Sequence, residues 1–123
     1  DSKPGRVIAK VKQALAGIDT PTIACLGLAF KANVDDLRES PAMNICLALA
    51  TIEGVSIAAV EPHINELPEQ LKQYSNVSLT VTETAIRTAD VIVLLVDHQR
   101  FRDIPTLFDL SNVKVIDTRG QWA

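Results

Sequence analysis

The segment GLAFKANVDDLRESPA, residues 27–42, follows the apolar run TIACL and places opposed charges close together. Its charged residues are Lys31, Asp35, Asp36, Arg38 and Glu39. Lys31 and Arg38 suit a phosphate or a carboxylate, because a helix that begins at Ser40 would add the partial positive charge of its N-terminus. The segment is therefore a candidate site for an anionic small molecule.

A structural interpretation of the same segment is also open. Lys31 would then be solvated, and Arg38 would pair with one of the neighbouring acids and hold the loop in place. The length of the loop favours a function, since about thirteen residues separate the apolar run from Ser40, whereas such connections usually have about two to six. The residues alone leave both interpretations open.

Several familiar chemistries lack their pattern in this chain. Hard cations need oxygen ligands at short regular spacing around a glycine turn, and no glycine follows Gly27 in the loop, so we predict no metal site. Neither G-x-G-x-x-G nor G-x-x-x-x-G-K-[ST] occurs, so the usual loops for a dinucleotide or a triphosphate are not expected. A phosphoacceptor receiver domain would need an aspartate after the third strand, where the sequence reads VTE.

The cysteines and histidines favour structural roles. Cys25 and Cys46 lie in apolar runs without Cys-x-x-Cys spacing, so we interpret them as buried thiols of a protein from a reducing compartment. A thiol in apolar surroundings has a raised pKa and reacts poorly, which argues against a cysteine nucleophile. For His63 and His98, which follow predicted strands, we favour a hydrogen-bonded structural role.

Most of the remaining polar candidates follow predicted strands. Ligands of an open parallel sheet bind at the carboxyl ends of its strands, where loops converge and helix N-termini point outward. We therefore expect one edge of the sheet to carry the cations Lys31, Arg38, Arg100, Arg102 and Arg119, together with Glu61, His63, Asp97 and His98. For Arg119 the alternative is a solvated side chain near the C-terminus.

The elements that position these residues are strands alternating with helices. Such alternation, with strands rich in Val and Ile, is typical of a parallel sheet with crossover helices. Five strands are predicted, at residues 22–26, 55–60, 77–81, 90–96 and 113–117, and the continuously apolar fourth is predicted to be central. Helices are predicted at residues 6–16, 83–89 and 105–110, with a loop and an irregular helix over residues 61–76. The fold class is α/β: a doubly wound, mainly parallel sheet of about five strands with helices on both faces.

One further helix, after Ser40, has the clearest start signal in the chain. Ser40 can accept a hydrogen bond from the first free amides, and Pro41 has no amide to leave unpaired. The helix is predicted to end before Gly54. Because AMNICLALATI is apolar almost all round, we expect it to be buried against the sheet and against another domain or subunit.

The length, net charge and apolar content of the chain limit the possible functions. The chain has 123 residues and a formal net charge of −3. Its length fits one domain, and its charge gives no general attraction to nucleic acid or to an anionic membrane. No apolar stretch approaches the about twenty residues that cross a bilayer, and no signal-peptide pattern is seen, so we expect a soluble, cytoplasmic protein.

Residues 27–42 resemble the signature of the C-terminal domain of the UDP-glucose/GDP-mannose dehydrogenase family, the nucleotide-sugar 6-dehydrogenases. The similarity extends to VEPHINELP, ADVIVLLVDHQRF and VIDTRGQW, and so covers the chain from Thr22 to its end. These flanking segments are more similar to members that act on UDP-N-acetyl-D-mannosamine than to those that act on UDP-glucose. The resemblance implies a Rossmann-like UDP-sugar-binding domain at residues 21–123, preceded by a linker and the end of a central helix at residues 1–20.

The resemblance also implies what the whole enzyme does. Members of the family oxidise the C6 alcohol of the sugar to a carboxylate in two NAD-dependent steps, through a cysteine thioester on an earlier part of the chain. NAD would be bound mainly by an N-terminal domain that this sequence does not include. The chain alone is therefore expected to be inactive and to work with the N-terminal and central parts of the same enzyme, in a homo-oligomer.

Site residues are implied position by position. Phe30 and Lys31 match the pair that lies against UDP, and Arg119 matches a basic residue close to the substrate. Arg38 matches an arginine that reaches toward NAD, and Asp36 is expected to orient Arg38. No catalytic residue and no metal ligand is assigned within this chain.

Two alternatives stay open. Within the family, the sugar would instead be glucose or N-acetylglucosamine. Outside the family's activity, the chain would be a non-catalytic sensor of a nucleotide or metabolite. A reading frame that continues upstream into a G-x-G-x-x-G domain would favour the enzyme, and one that starts at Asp1 would favour the sensor.

Overall fold

The computed structural model of the chain describes residues 3–29 and 40–122. Its helices and strands follow in the order α1 (Lys3–Ala14), β1 (Thr22–Leu26), α2 (Pro41–Ala50), β2 (Ser56–Val60), α3 (Glu69–Lys72), β3 (Val77–Leu79), α4 (Thr82–Thr88), β4 (Val91–Leu94), α5 (Ile104–Leu107) and β5 (Lys114–Asp117). A 3₁₀ turn, Gln99–Phe101, lies between β4 and α5. The predicted site residues Phe30, Lys31, Asp36 and Arg38 lie outside the described residues.

The five strands form one parallel sheet in the order β3-β2-β1-β4-β5. Leu26 at the end of β1 is in register with Val60 of β2 and Leu94 of β4, so these three strands end at the same level. The prediction that β4 is central is wrong in detail: β4 lies between β1 and β5, and β1 is the middle strand. A continuous apolar run shows that both faces of a strand are covered, which holds for any interior strand and does not determine the order.

Side chains of the strands alternate between two cores, one on each face of the sheet. Ile23 and Cys25 of β1 pack in the core that α1 and α2 cover, whereas Ala24 and Leu26 pack in the core that α4 and α5 cover. Helices therefore lie on both faces, and the predicted doubly wound α/β fold is confirmed.

The predicted start of α2 is confirmed. Oγ of Ser40 accepts a hydrogen bond from the amide of Met43 at 3.2 Å, and Pro41 occupies the first turn. The same hydroxyl donates to the carbonyl of Leu28 at 2.7 Å. This second bond fastens the start of α2 to the chain that leaves β1.

Part of the apolar surface of α2 is covered by α1 of the same chain. Val7 and Val11 of α1 are buried in the same core as Cys46 of α2. The apolar surface of α2 therefore does not require another domain or subunit on this side, which the sequence had led us to expect. α1 begins at Lys3, one turn before the predicted Arg6.

The other elements end within a few residues of their predicted bounds. β4 ends at Leu94 and not at Val96, because the amides of Leu95 and Val96 both donate to the carbonyl of Leu26. α4 and α5 each begin one residue earlier than predicted. Within the described ranges, no helix has the length and apolar character needed to span a membrane.

Candidate ligand site at the carboxyl edge of the sheet

The carboxyl ends of β1 and β4 mark the point where the connections of the sheet change direction. From β1 the chain continues to β2 and β3 on one side, while β4 and β5 lie on the other. In an open parallel sheet, a ligand binds in the crevice at such a switch point. The described residues there are 27–29 after β1 and 95–98 after β4.

Gly27 brings the strand ends close together. Its φ is +98°, and a Cβ atom on it would lie only 2.5 Å from Cβ of Val96, which follows β4. On its other side, the amide of Gly27 donates to the carbonyl of Val60 in β2 at 2.7 Å. A larger residue does not fit unless Val96 moves, so glycine is what allows β1, β2 and β4 to meet here.

Glu61, the first residue after β2, is buried at this edge and forms hydrogen bonds with residues that follow three of the strands. Its Oε1 accepts from the amides of Leu28 at 2.9 Å and Ala29 at 3.1 Å, and lies 2.9 Å from Nε2 of His98. Its Oε2 accepts from the amide of His63 at 3.1 Å. We call these five residues the Glu61 clamp.

The hydrogen bonds of the clamp keep Glu61 ionised. Burial by itself would raise the pKa of Glu61, but the bonds from His98 and from the amides of Leu28 and His63 outweigh it, so the pKa is lowered. Because an ionised carboxylate only accepts hydrogen bonds, Nε2 of His98 carries the proton of that bond. His98 is fully buried, and this hydrogen-bonded position agrees with the structural role predicted for it.

The clamp also brings three potential metal ligands together. Glu61, His63 and His98 each offer a ligand atom within 4.8 Å of the others. A tetrahedral zinc ion with ligands at about 2.0–2.2 Å needs ligand atoms roughly 3.5 Å apart. Both oxygens of Glu61 and Nε2 of His98 are already engaged in hydrogen bonds. The positions of these atoms fit a hydrogen-bonded cluster better than a metal site, and we assign no metal to them.

Asp117, the last residue of β5, shapes the turn that carries Arg119. Its Oδ1 accepts from the amides of Arg119 at 3.0 Å and Gly120 at 2.8 Å, and its Oδ2 accepts from the amide of Trp122 at 2.8 Å. Partial burial would raise the pKa of Asp117, but these backbone bonds lower it further than burial raises it. An ionised carboxylate thus fixes the turn.

Arg119 is the predicted substrate contact that falls within the described part of the chain. Its Nε lies 3.7 Å from Oδ1 of Asp97, and both side chains keep a large exposed fraction, 45% and 39%. Arg119 also borders a cavity of 190 Å³ between α1 and the start of α2, where Pro41, Leu95 and Thr118 form part of the wall. The structure therefore places this cation next to the end of β4, at the expected edge.

The other strand-edge residues have different surroundings. Arg102 lies 3.7 Å from the carboxylate of Asp103, and Arg100 borders a separate cavity at the ends of β2 and β3. Two carboxylates that organise the edge, those of Glu61 and Asp117, are not evident from the sequence as such. The sequence pattern that could have indicated them is an acidic residue at the end of a buried strand, followed by a loop whose backbone amides need hydrogen-bond acceptors.

Both cysteines are buried free thiols, as predicted. Cys25 on β1 lies next to Cys46 on α2, and the neighbouring thiol together with burial raises the pKa of the Cys25 thiol well above its ordinary value. A buried thiol with a raised pKa is a poor nucleophile. The position of Cys25 is therefore consistent with packing and not with catalysis.

An all-parallel sheet of this order, covered on both faces and with its candidate site at the switch point, defines a Rossmann-like α/β domain. Residues 24–123 match the sequence model of the UDP-glucose/GDP-mannose dehydrogenase family, UDP binding domain. The match covers most of the chain, and the chain belongs to this family.

Named relatives agree with this assignment. The chain is 49% identical, over its full length, to an NDP-N-acetyl-D-galactosaminuronic acid dehydrogenase of Ralstonia solanacearum, of which it covers 28%. It is 44% identical over 85% of its length to a UDP-N-acetyl-D-mannosamine dehydrogenase of Campylobacter jejuni, of which it covers 26%. Among solved structures, the UDP-N-acetyl-mannosamine dehydrogenase of Staphylococcus aureus superposes with a TM-score of 0.75 at 27% identity, over 96% of this chain and 27% of that one. The chain thus spans between a quarter and a third of the length of these relatives.

Proposed function

We propose that this chain is the C-terminal UDP-sugar-binding domain of an NAD-dependent UDP-sugar 6-dehydrogenase. Oxidation of the C6 alcohol to a carboxylate removes four electrons, which two NAD⁺ would accept in turn on the N-terminal domain. The observation that carries this proposal is the family match over residues 24–123. The chain would supply binding and orientation, and the cysteine thioester would form on a part of the enzyme outside it.

The sugar that we propose is N-acetyl-D-mannosamine, so that the product is UDP-N-acetyl-D-mannosaminuronic acid. Support comes from relatives of that name in Campylobacter jejuni, at 44% identity, and in Escherichia coli, at 42%. A second candidate is the N-acetylgalactosamine series, which is favoured by the 49% identity to the Ralstonia dehydrogenase. Both candidates are N-acetylated sugars, which makes glucose the weaker alternative.

Within the chain, we propose that Phe30 and Lys31 lie against UDP and that Arg119 lies close to the substrate phosphates or sugar. Arg38 would reach toward NAD, with Asp36 orienting it. The Glu61 clamp supports these roles, because it fixes the amides of residues 28 and 29, immediately before Phe30. The exposed guanidinium of Arg119 at the switch-point edge supports its part in the site.

The setting of the enzyme follows from the same proposal. The domain would work with the N-terminal and central parts of the same enzyme in a homo-oligomer. A soluble nucleotide-sugar dehydrogenase would act in the cytoplasm and provide an activated uronic acid for polysaccharide synthesis.

Titration of UDP into the protein tests the substrate site. Lys31→Ala should weaken UDP binding by about 1–3 kcal/mol, or roughly 5- to 150-fold in Kd, if a charge-assisted hydrogen bond is lost. Lys72→Ala is the matched control, because Lys72 is exposed and pairs with Glu66 and Glu69 on the surface. Equal affinity in wild type and Lys31→Ala would remove Lys31 from the site.

Turnover of the full-length enzyme tests the reaction and the sugar. With UDP-N-acetyl-D-mannosamine, two NADH should form for each sugar consumed, and the rate should exceed that with UDP-N-acetyl-D-galactosamine, UDP-N-acetyl-D-glucosamine and UDP-glucose. A higher kcat/KM for the galactosamine substrate would select the second candidate. NADH formation with none of the four sugars would leave the sensor as the better interpretation.

A further inference from the structure

A second cavity, of 370 Å³, lies over the carboxyl ends of β2 and β3. It shares no lining residue with the 190 Å³ cavity beside Arg119. Its walls come from the chain after β2, from the start of α4 and from the 3₁₀ turn after β4. Its volume is at the lower end of the about 300–1,000 Å³ that is usual for small-molecule sites.

The apolar lining of this cavity is exposed to solvent mainly at Val81. Val60, Ile64, Leu79 and Val81 contribute aliphatic surface to it, and Val81 is 70% exposed, the largest fraction but one among the large exposed apolar residues described. Exposed aliphatic surface gathered in a concave site is typical of a place where a ligand binds. The body of a ligand that covered Val81 would remove this surface from water.

Thr80 and Glu61 line the cavity with polar groups that are hydrogen-bonded elsewhere, but three other polar side chains there have no partner among the described residues. The side chains of Asn65, Thr82 and Arg100 line it, and none of them forms a hydrogen bond or ion pair with another residue that the structure describes. Glu61 also lines the cavity, but its carboxylate is fully buried and turned toward the Glu61 clamp. The free polar groups are thus an amide, a hydroxyl and a guanidinium.

Arg100 stands apart from the other arginines in residues 3–29 and 40–122. Arg87 pairs with Glu83 at 3.1 Å, Arg102 with Asp103 at 3.7 Å and Arg119 with Asp97 at 3.7 Å. Arg6 has an interaction as well. In a chain of net charge −3, an arginine that borders a cavity and has no acidic partner among the described residues is suited to bind an anion from solution.

We propose that this cavity is a second small-molecule site, separate from the UDP-sugar site, which takes a small organic anion with an apolar body. Arg100 binds the phosphate or carboxylate of the ligand, Asn65 and Thr82 hydrogen-bond to it, and Val60, Ile64, Leu79 and Val81 contact its body. This proposal does not depend on the dehydrogenase activity, since its residues lie at the end of β2 and in the loop after it, at the end of β3, at the start of α4 and in the 3₁₀ turn.

Titration of phenyl phosphate, with UDP present at saturation, tests the proposal on the full-length protein. Saturable binding is expected, because the probe combines an anion with a flat apolar body. Inorganic phosphate, which has no body, should bind at least tenfold more weakly. Benzoate in place of phenyl phosphate distinguishes a carboxylate from a phosphate as the preferred anion.

Variants locate the binding. Arg100→Ala should weaken phenyl phosphate binding at least tenfold, whereas Arg102→Ala, an exposed arginine two residues away that pairs with Asp103, should leave it unchanged. Val81→Asp, at an exposed position that tolerates a polar side chain, should abolish binding by placing a negative charge in the cavity. Absence of saturable binding for both organic anions, competition by UDP, or an equal loss in Arg102→Ala would overturn the proposal.

Discussion

Nε2 of His98 lies 2.9 Å from Oε1 of Glu61, and both side chains are fully buried where the ends of β2 and β4 meet the end of β1. The same oxygen accepts hydrogen bonds from the amides of Leu28 and Ala29, which follow β1. One carboxylate therefore joins three neighbouring strands at the switch point. This bond network fixes the backbone at Leu28 and Ala29.

Glu61→Gln should destabilise the fold. The side-chain amide of glutamine has only one oxygen, and its NH₂ group cannot accept the hydrogen bonds that one of the two carboxylate oxygens of Glu61 accepts now. Loss of hydrogen bonds to a buried charged group should lower the free energy of unfolding by about 1–3 kcal/mol. Urea unfolding of the two proteins measures the difference.

Glu66→Gln is the matched control for this variant. Glu66 carries the same substitution on the same loop, but its side chain is 79% exposed and pairs with Lys72 on the surface. Its effect should stay within about 0.5 kcal/mol. Equal stabilities for Glu61→Gln and Glu66→Gln would contradict the role that we give to the clamp.

The stability contributed by Glu61 should depend on pH in a definite direction. The pKa of Glu61 is lowered in the folded protein, so its contribution is fully present above the unfolded value of about 4.3 and is lost as the pH falls through the lower folded value. The difference in unfolding free energy between wild type and Glu61→Gln should therefore shrink between pH 6 and pH 3. A difference that stays constant over this range would show that the carboxylate is not held ionised by folding.

Gly27→Ala should destabilise the fold more than Gly54→Ala. Both glycines have a positive φ, +98° and +84°, so either alanine should cost about 1–2 kcal/mol in backbone strain. At Gly54 nothing lies within 4 Å of the added Cβ, whereas at Gly27 the Cβ of Val96 lies at 2.5 Å. Crowding should add a further cost of about 1–3 kcal/mol at Gly27 alone. Thermal unfolding of both variants measures it, and equal losses would mean that Val96 moves away freely.

Local sequence patterns were sufficient to predict most of the elements. Thr22–Leu26 is an uninterrupted apolar strand, and Ser40 followed by Pro41 is a capping signal that needs no long-range partner. The strand order was harder to predict from the sequence, because β1 and β4 are equally apolar. The order depends on which strands the crossover connections join as neighbours. The cover of α2 by α1 was also missed, since an apolar helix surface does not identify what packs on it.

The candidate site was predicted as a place but not as a set of contacts. The rule that ligands bind at strand ends brought Glu61, His98 and Arg119 to one edge before the structure was known. That Glu61 and His98, 37 residues apart, form a hydrogen bond depends on the register of β2 and β4 against β1, which the residues alone do not specify. The sequence predicts Asp117 as the last residue of a strand, but its bonds to three following amides depend on the turn geometry, which the strand pattern does not specify.

Asp117→Asn should weaken UDP binding through Arg119. Asp117 fixes the turn by accepting hydrogen bonds from the amides of Arg119, Gly120 and Trp122. The side chain of asparagine has only one oxygen that can accept such bonds. The guanidinium would then lose part of its orientation, so the UDP affinity should fall, but by less than in Arg119→Ala. Asp109→Asn is the control, because Asp109 is exposed and its described hydrogen bonds are local ones to Ser111, two residues away.

A double-mutant cycle decides whether Asp117 acts through Arg119 or independently of it. If Asp117 only positions the arginine, Asp117→Asn should add nothing to the loss of UDP affinity in an Arg119→Ala background. Urea unfolding of the same four proteins separates this effect from stability, since the loss of the Asp117 bonds lowers the free energy of unfolding with or without the arginine side chain. A group that acts only by orienting Arg119 has no effect on UDP affinity once the Arg119 side chain has been removed. Additive losses of UDP affinity would therefore show that Asp117 affects the site by another route.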